Sequence, residues 1–248
     1  MEIKATNFIV SPNAVNDNML SLDETESHHL AKVFRAQKGD LFYAIDGQGR
    51  KYQAVINSIT ISKVTAEIIK TTRLENEPLL KLSLAMGLCR PAKIDFIVEK
   101  GTEIGVSHFH FFSSEKTLAD DYIDRSANKK IARWKKIATA AAKQSLRTIV
   151  PQIHPPVAFA DILRLPIDYH LSLIADMTHQ PSSLDNLFTD QPREALILVG
   201  PEAGLSAKEI DKALDVGFKP IKLGPRRLRA ETAAILFASL VMEKAGEI

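Results

Sequence analysis

The chain has one cysteine, Cys89, in 248 residues, so no intramolecular disulfide can form and a reducing compartment is favoured. Long apolar runs are missing too. The longest, Ala233–Met242, falls well short of the roughly 18 residues of a membrane span. The opening MEIKATNFIV lacks the apolar core of a secretory signal. These absences predict a cytoplasmic protein with no membrane partner. Neither sign of charge dominates: 32 Lys and Arg face 30 Asp and Glu, a formal net of +2. Any nucleic-acid surface must therefore be a local patch. The dinucleotide signature GxGxxG, the phosphate loop GxxxxGK followed by Ser or Thr, the zinc motif HExxH and the nucleophile elbow GxSxG do not occur. His28-His29 and His108/His110 lack companions at metal-ligand spacing, so no metal is expected and they read as surface or packing residues. Asp120-Asp121 reads as a solvated pair in a loop.

What is present is ordinary globular material, 45% hydrophobic and 25% charged, enough for one large domain or two modest ones. Residues 1–72 look β-rich. LFYAID (41–46) and KYQAVINSI (51–59) flank Gly47-Gln48-Gly49 and predict a hairpin, with SKVTAEIIK (62–70) as a third strand. SHHLAKVFR (27–35) predicts a short helix capped by Ser27. Together they make a small barrel-like domain. RLENEP (73–78) reads as a linker.

From residue 79 to 248 the pattern is that of a second, α/β domain. Strands are expected at 80–87, 109–112, 169–176, 194–200 and 218–224. Helices are expected at 91–104, with Pro91 in its first turn, at about 126–146, at 206–216 with a Ser206/Glu209 capping box, and at 231–244. Alternation of this kind builds a largely parallel sheet covered on both faces.

Two turns carry the chemistry. LILVGPEAGLS (196–206) and LGPRRLRAETA (223–233) each follow a strand and precede a helix, which places both at one sheet edge. Gly200 and Gly204 permit a tight turn and close approach of a ligand to the backbone, and Glu202 offers an acceptor. Alone, this turn is equally compatible with a plain strand-to-helix connection. The second turn crowds Arg226, Arg227 and Arg229 together, charges that repel unless solvated or facing an anion such as phosphate. Arg229 and Glu231 could also pair with each other. A third feature is the stretch Arg125–Arg147, which holds Arg125, Lys129, Lys130, Arg133, Lys135, Lys136, Lys143 and Arg147 and no acidic residue. RNA or phosphate contact accounts for this one-sided charge somewhat better than a solvated helix face does.

These motifs resemble the RsmE family, bacterial enzymes of the SPOUT class that methylate N3 of a uridine in 16S ribosomal RNA. LVGPEAGLS (198–206) and LGPRRLRAETA (223–233) are the specific matches. KIDFIVEKGTEIGV (93–106), RWKKIATAAAKQSLRTIVPQI (133–153) and HHLAKVFRAQKGD (28–40) extend the resemblance over nearly the whole chain. Ala203 stands where the family usually has glycine, Ala230 where it has threonine, and Ile104 where it has leucine.

The resemblance implies a trefoil-knotted C-terminal SPOUT domain behind a PUA-like RNA-binding front. It implies S-adenosylmethionine as cofactor, held largely by backbone of loops 175–178, 198–204 and 223–230. The residues expected to hold it are Ala175, Leu198, Gly200, Pro201, Glu202, Gly204, Leu223, Gly224 and Leu228. Arg229 is expected to stabilise charge on the uracil, with Glu231 orienting it. RNA contacts are expected from Arg35, Lys38, Arg90, Lys93, Lys129, Lys130, Arg133 and Arg226. Partners would be 16S rRNA, within the small ribosomal subunit, and a second copy of the chain. The competing readings are another SPOUT enzyme such as a tRNA ribose 2′-O-methyltransferase, a non-catalytic RNA-binding protein, and an ordinary doubly wound nucleotide-binding domain.

Overall fold

The computed structural model describes residues 2–117, 127–165, 169–188 and 192–248. Arg125, Asp120 and Asp121, singled out above, lie outside the described residues. Two compact units result: Met1–Glu77 with Thr139–Val150, and Pro78–Ala138 with Pro151–Ile248. The segment 139–150, which the sequence pattern placed in the second domain, thus belongs with the first unit.

The first unit is built on β1 (Glu2–Ile9), β2 (Val15–Asn16), β3 (Met19–Leu22), the helical turn α1 (Glu24–His28), β4 (Leu41–Ile45), β5 (Arg50–Ile59) and β6 (Val64–Arg73). Its sheet runs β1-β4-β5-β6-β3-β2, with β1 parallel to β4 and the other pairs antiparallel. The hairpin at 46–50 forms as expected. Gly47 and Gly49 supply φ of 72° and 106°, and Asp46 Oδ1 accepts from the Gln48 and Arg50 amides. Phe8 meets Phe42 and Phe34 edge-on in a core shared with Leu20, Ile56 and Val64.

The cap of α1 differs from expectation. Asp23, not Ser27, accepts the Glu26 amide at 2.8 Å. Ser27 is fully buried; its hydroxyl donates to Leu22 O and accepts from Val64 N, stitching the helix to β6. The helix starts earlier because the carboxylate of Asp23 is the stronger acceptor at the chain's entry to it.

Segment 139–150 is fastened to this unit by buried charge. The Arg147 guanidinium donates to Glu77 Oε2 at 2.9 Å, both side chains being nearly fully buried. Glu77 Oε1 accepts the Thr148 and Ile149 amides at 2.6 and 2.8 Å. The Lys143 ammonium pairs with Glu26.

The second unit comprises β7 (Lys81–Gly87), α2 (Pro91–Ile104), β8 (His108–Ser113), the start of α3 (Ala127–Gln144), β9 (Gln152–Ile153), β10 (Val157–Ala158), α4 (Phe159–Ile162), β11 (Leu171–Ala175), α5 (Leu184–Leu187), β12 (Glu194–Val199), α6 (Ala207–Asp215), β13 (Lys219–Ile221) and α7 (Ala230–Lys244). The sheet order is β10-β8-β7-β12-β11-β13, every pairing parallel, with β9 also on β8. Strands buried on both faces read as nearly continuous apolar runs, as in LILV of β12. α2 starts on Pro91 and ends on Gly105, whose φ of 113° only glycine adopts freely. α6 carries the expected Ser206/Glu209 capping box.

Candidate cofactor cavity and its ion cluster

The carboxyl ends of β11, β12 and β13 open on a cavity of about 340 Å³, a volume suited to a small-molecule ligand. Its walls come from residues 175–178 and 199–205, from Ile221, Leu223, Gly224 and 226–228, and from Ala230 and Ala233, with Lys116 and Ile210 beside them. In the first turn Gly204 has φ of 72° and its amide donates to Pro201 O at 2.8 Å. Ala203 is not among the residues with positive φ, so alanine fits the place of the family's glycine without strain. Gly224 in the second turn has φ of 118°, with open space where a side chain would project.

Ala175, Gly200, Pro201, Glu202, Gly204, Leu223, Gly224 and Leu228 all line the cavity. Leu198 does not. Its side chain is fully buried with Phe112, Phe159 and Leu196, because strand alternation turns it into the core. Asp176 lines the cavity and was not singled out from sequence beyond its loop. Burial raises its carboxyl pKa, but hydrogen bonds from Thr178 and His179 outweigh that and hold it below the usual carboxylate range.

Beside the cavity, Lys93 of α2 reaches two acids. Its ammonium lies 2.8 Å from Glu202 and 2.9 Å from Glu231. The Glu231 contact is close but poorly directed, an ion pair rather than a well-formed hydrogen bond. Lys93, expected on the RNA surface, is instead half-buried between the two turns. Glu231, expected to orient Arg229, pairs with Lys93, and the Arg229 charge acts on it as well. Burial raises the Glu231 pKa and Lys93 lowers it, the net being downward; the Lys93 pKa is raised by its two acids. Arg229 is exposed and occupies the N-cap of α7, while Arg226 and Arg227 line the cavity itself.

A family model described as an RNA methyltransferase domain matches residues 75–242, and one for the associated PUA domain matches 22–69. The chain belongs to this RNA methyltransferase family. Ribosomal RNA small subunit methyltransferase E of Synechocystis is 30% identical over 93% of this chain and 75% of its own length. The Bacillus subtilis protein of the same name is 30% identical over 89% and 88%. Among solved structures, the enzyme of that name from Neisseria gonorrhoeae, bound to S-adenosyl methionine, superposes with a TM-score of 0.85 at 26% identity, covering 97% of this chain and 98% of that one. The methyltransferase fold is thus the SPOUT architecture with a PUA-like front, and the reading as a generic nucleotide-binding domain falls.

The basic stretch of this methyltransferase is less one-sided than its sequence. Arg133 forms a two-pronged pair with Asp95, at 2.7 Å for the shortest contact. Lys143 and Arg147 are absorbed by Glu26 and Glu77. Lys129 and Lys136 remain exposed, as do Arg35, Lys38 and Arg90; Lys130 is half-buried. Sequence reading missed these acids because they lie 38 to 117 residues away along the chain.

The histidines on β8 also have a companion the sequence hid. His154 follows β9 and stacks on His110 with ring centroids 4.1 Å apart. Burial lowers the pKa of all three, that of His110 to about 3.

Proposed function

We propose that this methyltransferase transfers a methyl group from S-adenosylmethionine to N3 of a uridine in 16S ribosomal RNA of the small subunit, acting as a cytoplasmic homodimer. The observation that carries the reading is the three-loop cavity at the strand ends, in a family member whose fold matches a relative solved with S-adenosyl methionine.

The residues fit that cofactor. Leu223 and Leu228 offer apolar wall for an adenine ring, and Gly204 and Gly224 keep backbone accessible, while Gly200 lets the turn close on Leu205. Ala175 and Pro201, also in the lining, would complete the contact set. Asp176, hydrogen-bonded by Thr178 and His179, and Glu202, paired with Lys93, add negative charge to the wall on which a cationic sulfonium would rest. When bound, the cofactor supplies an already activated methyl group.

The protein's own contribution is positioning and charge stabilisation. N3 of uridine must give up a proton, and negative charge spreads onto the flanking carbonyls. Arg229, exposed one residue before the cavity-lining Ala230, would donate to such a carbonyl. Arg226 and Arg227 would bind the adjoining phosphates. Lys93, with Glu202 and Glu231, ties the first turn to α7 and so holds Arg229 at the α7 start. Arg35, Lys38, Arg90, Lys129 and Lys130 would extend the RNA contact.

The test uses purified protein, labelled S-adenosylmethionine and small subunits from cells lacking this protein. Nucleoside digestion and mass spectrometry should show N3-methyluridine. Methyl label in a ribose 2′-O position, or label in tRNA but not in subunits, would overturn the reading.

A further inference from the structure

We propose that His108, His110 and His154 form a site for one first-row transition-metal ion, Zn²⁺ foremost, on the β8–β9 edge of the sheet. The placement follows from strand geometry. Side chains two apart on β8 share a face, so His108 and His110 stand side by side. β9 pairs in parallel with β8, Phe109 opposite Ile153, and the His154 amide donates to Phe109 O at 3.0 Å. That register carries the His154 ring across to the same face.

The rings converge. His108 Nδ1 and His154 Nε2 are 3.2 Å apart, and one ring nitrogen from each of the three residues lies within 4.8 Å of the others. Tetrahedral zinc, with bonds of roughly 2.0–2.1 Å, spaces its ligand nitrogens about 3.3 Å apart. His108 Nδ1 and His154 Nε2 share a hydrogen bond at that spacing, whose proton the ion would replace, and the rings, now stacked with His110 and His154 only 10° from parallel, would turn out of the stack to aim their nitrogens at it.

A second observation points to a ligand. His110 Nε2 is buried and has no hydrogen-bond partner among the described residues. A buried, unsatisfied ring nitrogen is costly unless something accepts its lone pair or proton. A metal ion does so directly. Three imidazoles suit zinc, copper or nickel better than magnesium or calcium, and they leave a coordination position for water. The ion would clamp two-residue β9 onto β8.

The test is calorimetric titration of Zn²⁺ alone into the untagged, EDTA-stripped full chain. Binding of one ion per chain is expected, with a rise in thermal midpoint. His154→Ala and His110→Asn should each weaken the affinity roughly tenfold or more. His170→Ala, at an exposed histidine of the same unit, should bind as the parent does. Circular dichroism checks that the variants fold, and His108→Gln replaces any that does not. Absence of stoichiometric binding by the parent chain would overturn the proposal. So would undiminished binding by the folded variants.

Discussion

Gly87 and Pro201 pack with no room for a side chain between them: a Cβ on Gly87 would lie 2.4 Å from both the nitrogen and Cδ of Pro201. The end of β7 is therefore the bed on which the first cofactor turn rests. Pro201 is rigid, so the pair cannot relax by rotating a side chain.

Gly87→Ala should push the 200–204 turn outward. Overpacking of this kind costs about 1–3 kcal/mol. We expect a lower thermal midpoint and S-adenosylmethionine affinity reduced by roughly tenfold, a shift of about 1.4 kcal/mol. Calorimetry on the folded variant checks it; parental affinity would show that the turn is not the binding element. Gly200 behaves differently, because its added Cβ would meet Leu205 and Gly204 within the turn, at 3.1 and 3.3 Å.

Lys93 holds two acids that would otherwise face each other. Lys93→Met should destabilise the protein and weaken cofactor binding, while Lys93→Arg should restore much of both. Equilibrium unfolding in urea reads the first effect and calorimetry the second. A Lys93→Met variant with parental stability would show that the pair is idle.

Acid should loosen the cavity in a defined direction. Asp176 and Glu231 have folded pKa values below their ordinary 3.8 and 4.5. A depressed carboxylate stabilises the fold above its unfolded value and loses that contribution as pH falls through its folded one. Stability should therefore decline as pH drops below about 4.5. In Asp176→Asn that acid limb should be shallower. Urea midpoints measured from pH 7 downward test this, and an unchanged limb would count against it.

Arg229→Ala should lower single-turnover methylation about 10²–10³-fold while changing cofactor affinity little. Lysine at 229 should rescue only in part, since it keeps charge without the planar fork. Arg226→Ala should instead weaken RNA binding. If Arg229→Ala turns over normally, the charge-stabilising role passes to Arg226 or Arg227.

RNA affinity should depend on salt through exposed cations. Removing Arg35, Lys38 or Lys129 should each reduce the slope of log K against log salt by about 0.7–0.9. Arg147→Ala should act on folding instead, costing about 3–5 kcal/mol by stranding buried Glu77. Fluorescence titrations over a salt series, set beside thermal melts, separate the two classes.

Local rules made much of this fold legible. Pro91 and Gly105 bracket α2, and Ser206 with Glu209 announces α6, because capping is decided within four residues. The glycines of the two turns marked the cavity because their conformations are local too. What escaped was set by distance. The parallel pairing of β1 with β4, the acids that absorb Lys93, Arg133, Lys143 and Arg147, and the arrival of His154 beside His110 all join segments far apart in the chain. Leu198 shows a different limit: a motif names a stretch of backbone, whereas strand alternation turns this residue's side chain into the core.

Because residues 139–150 complete the unit that begins the chain, the PUA-like front is not a portable cassette. A fragment cut at Glu77 would leave that carboxylate without the guanidinium of Arg147 and the amides of Thr148 and Ile149. Gene fusion or exchange at the apparent linker would sever the front from its own fastening. The front and the segment that closes it are therefore bound to be inherited together, and a swap between relatives should succeed only when residues 139–150 travel with the first 77.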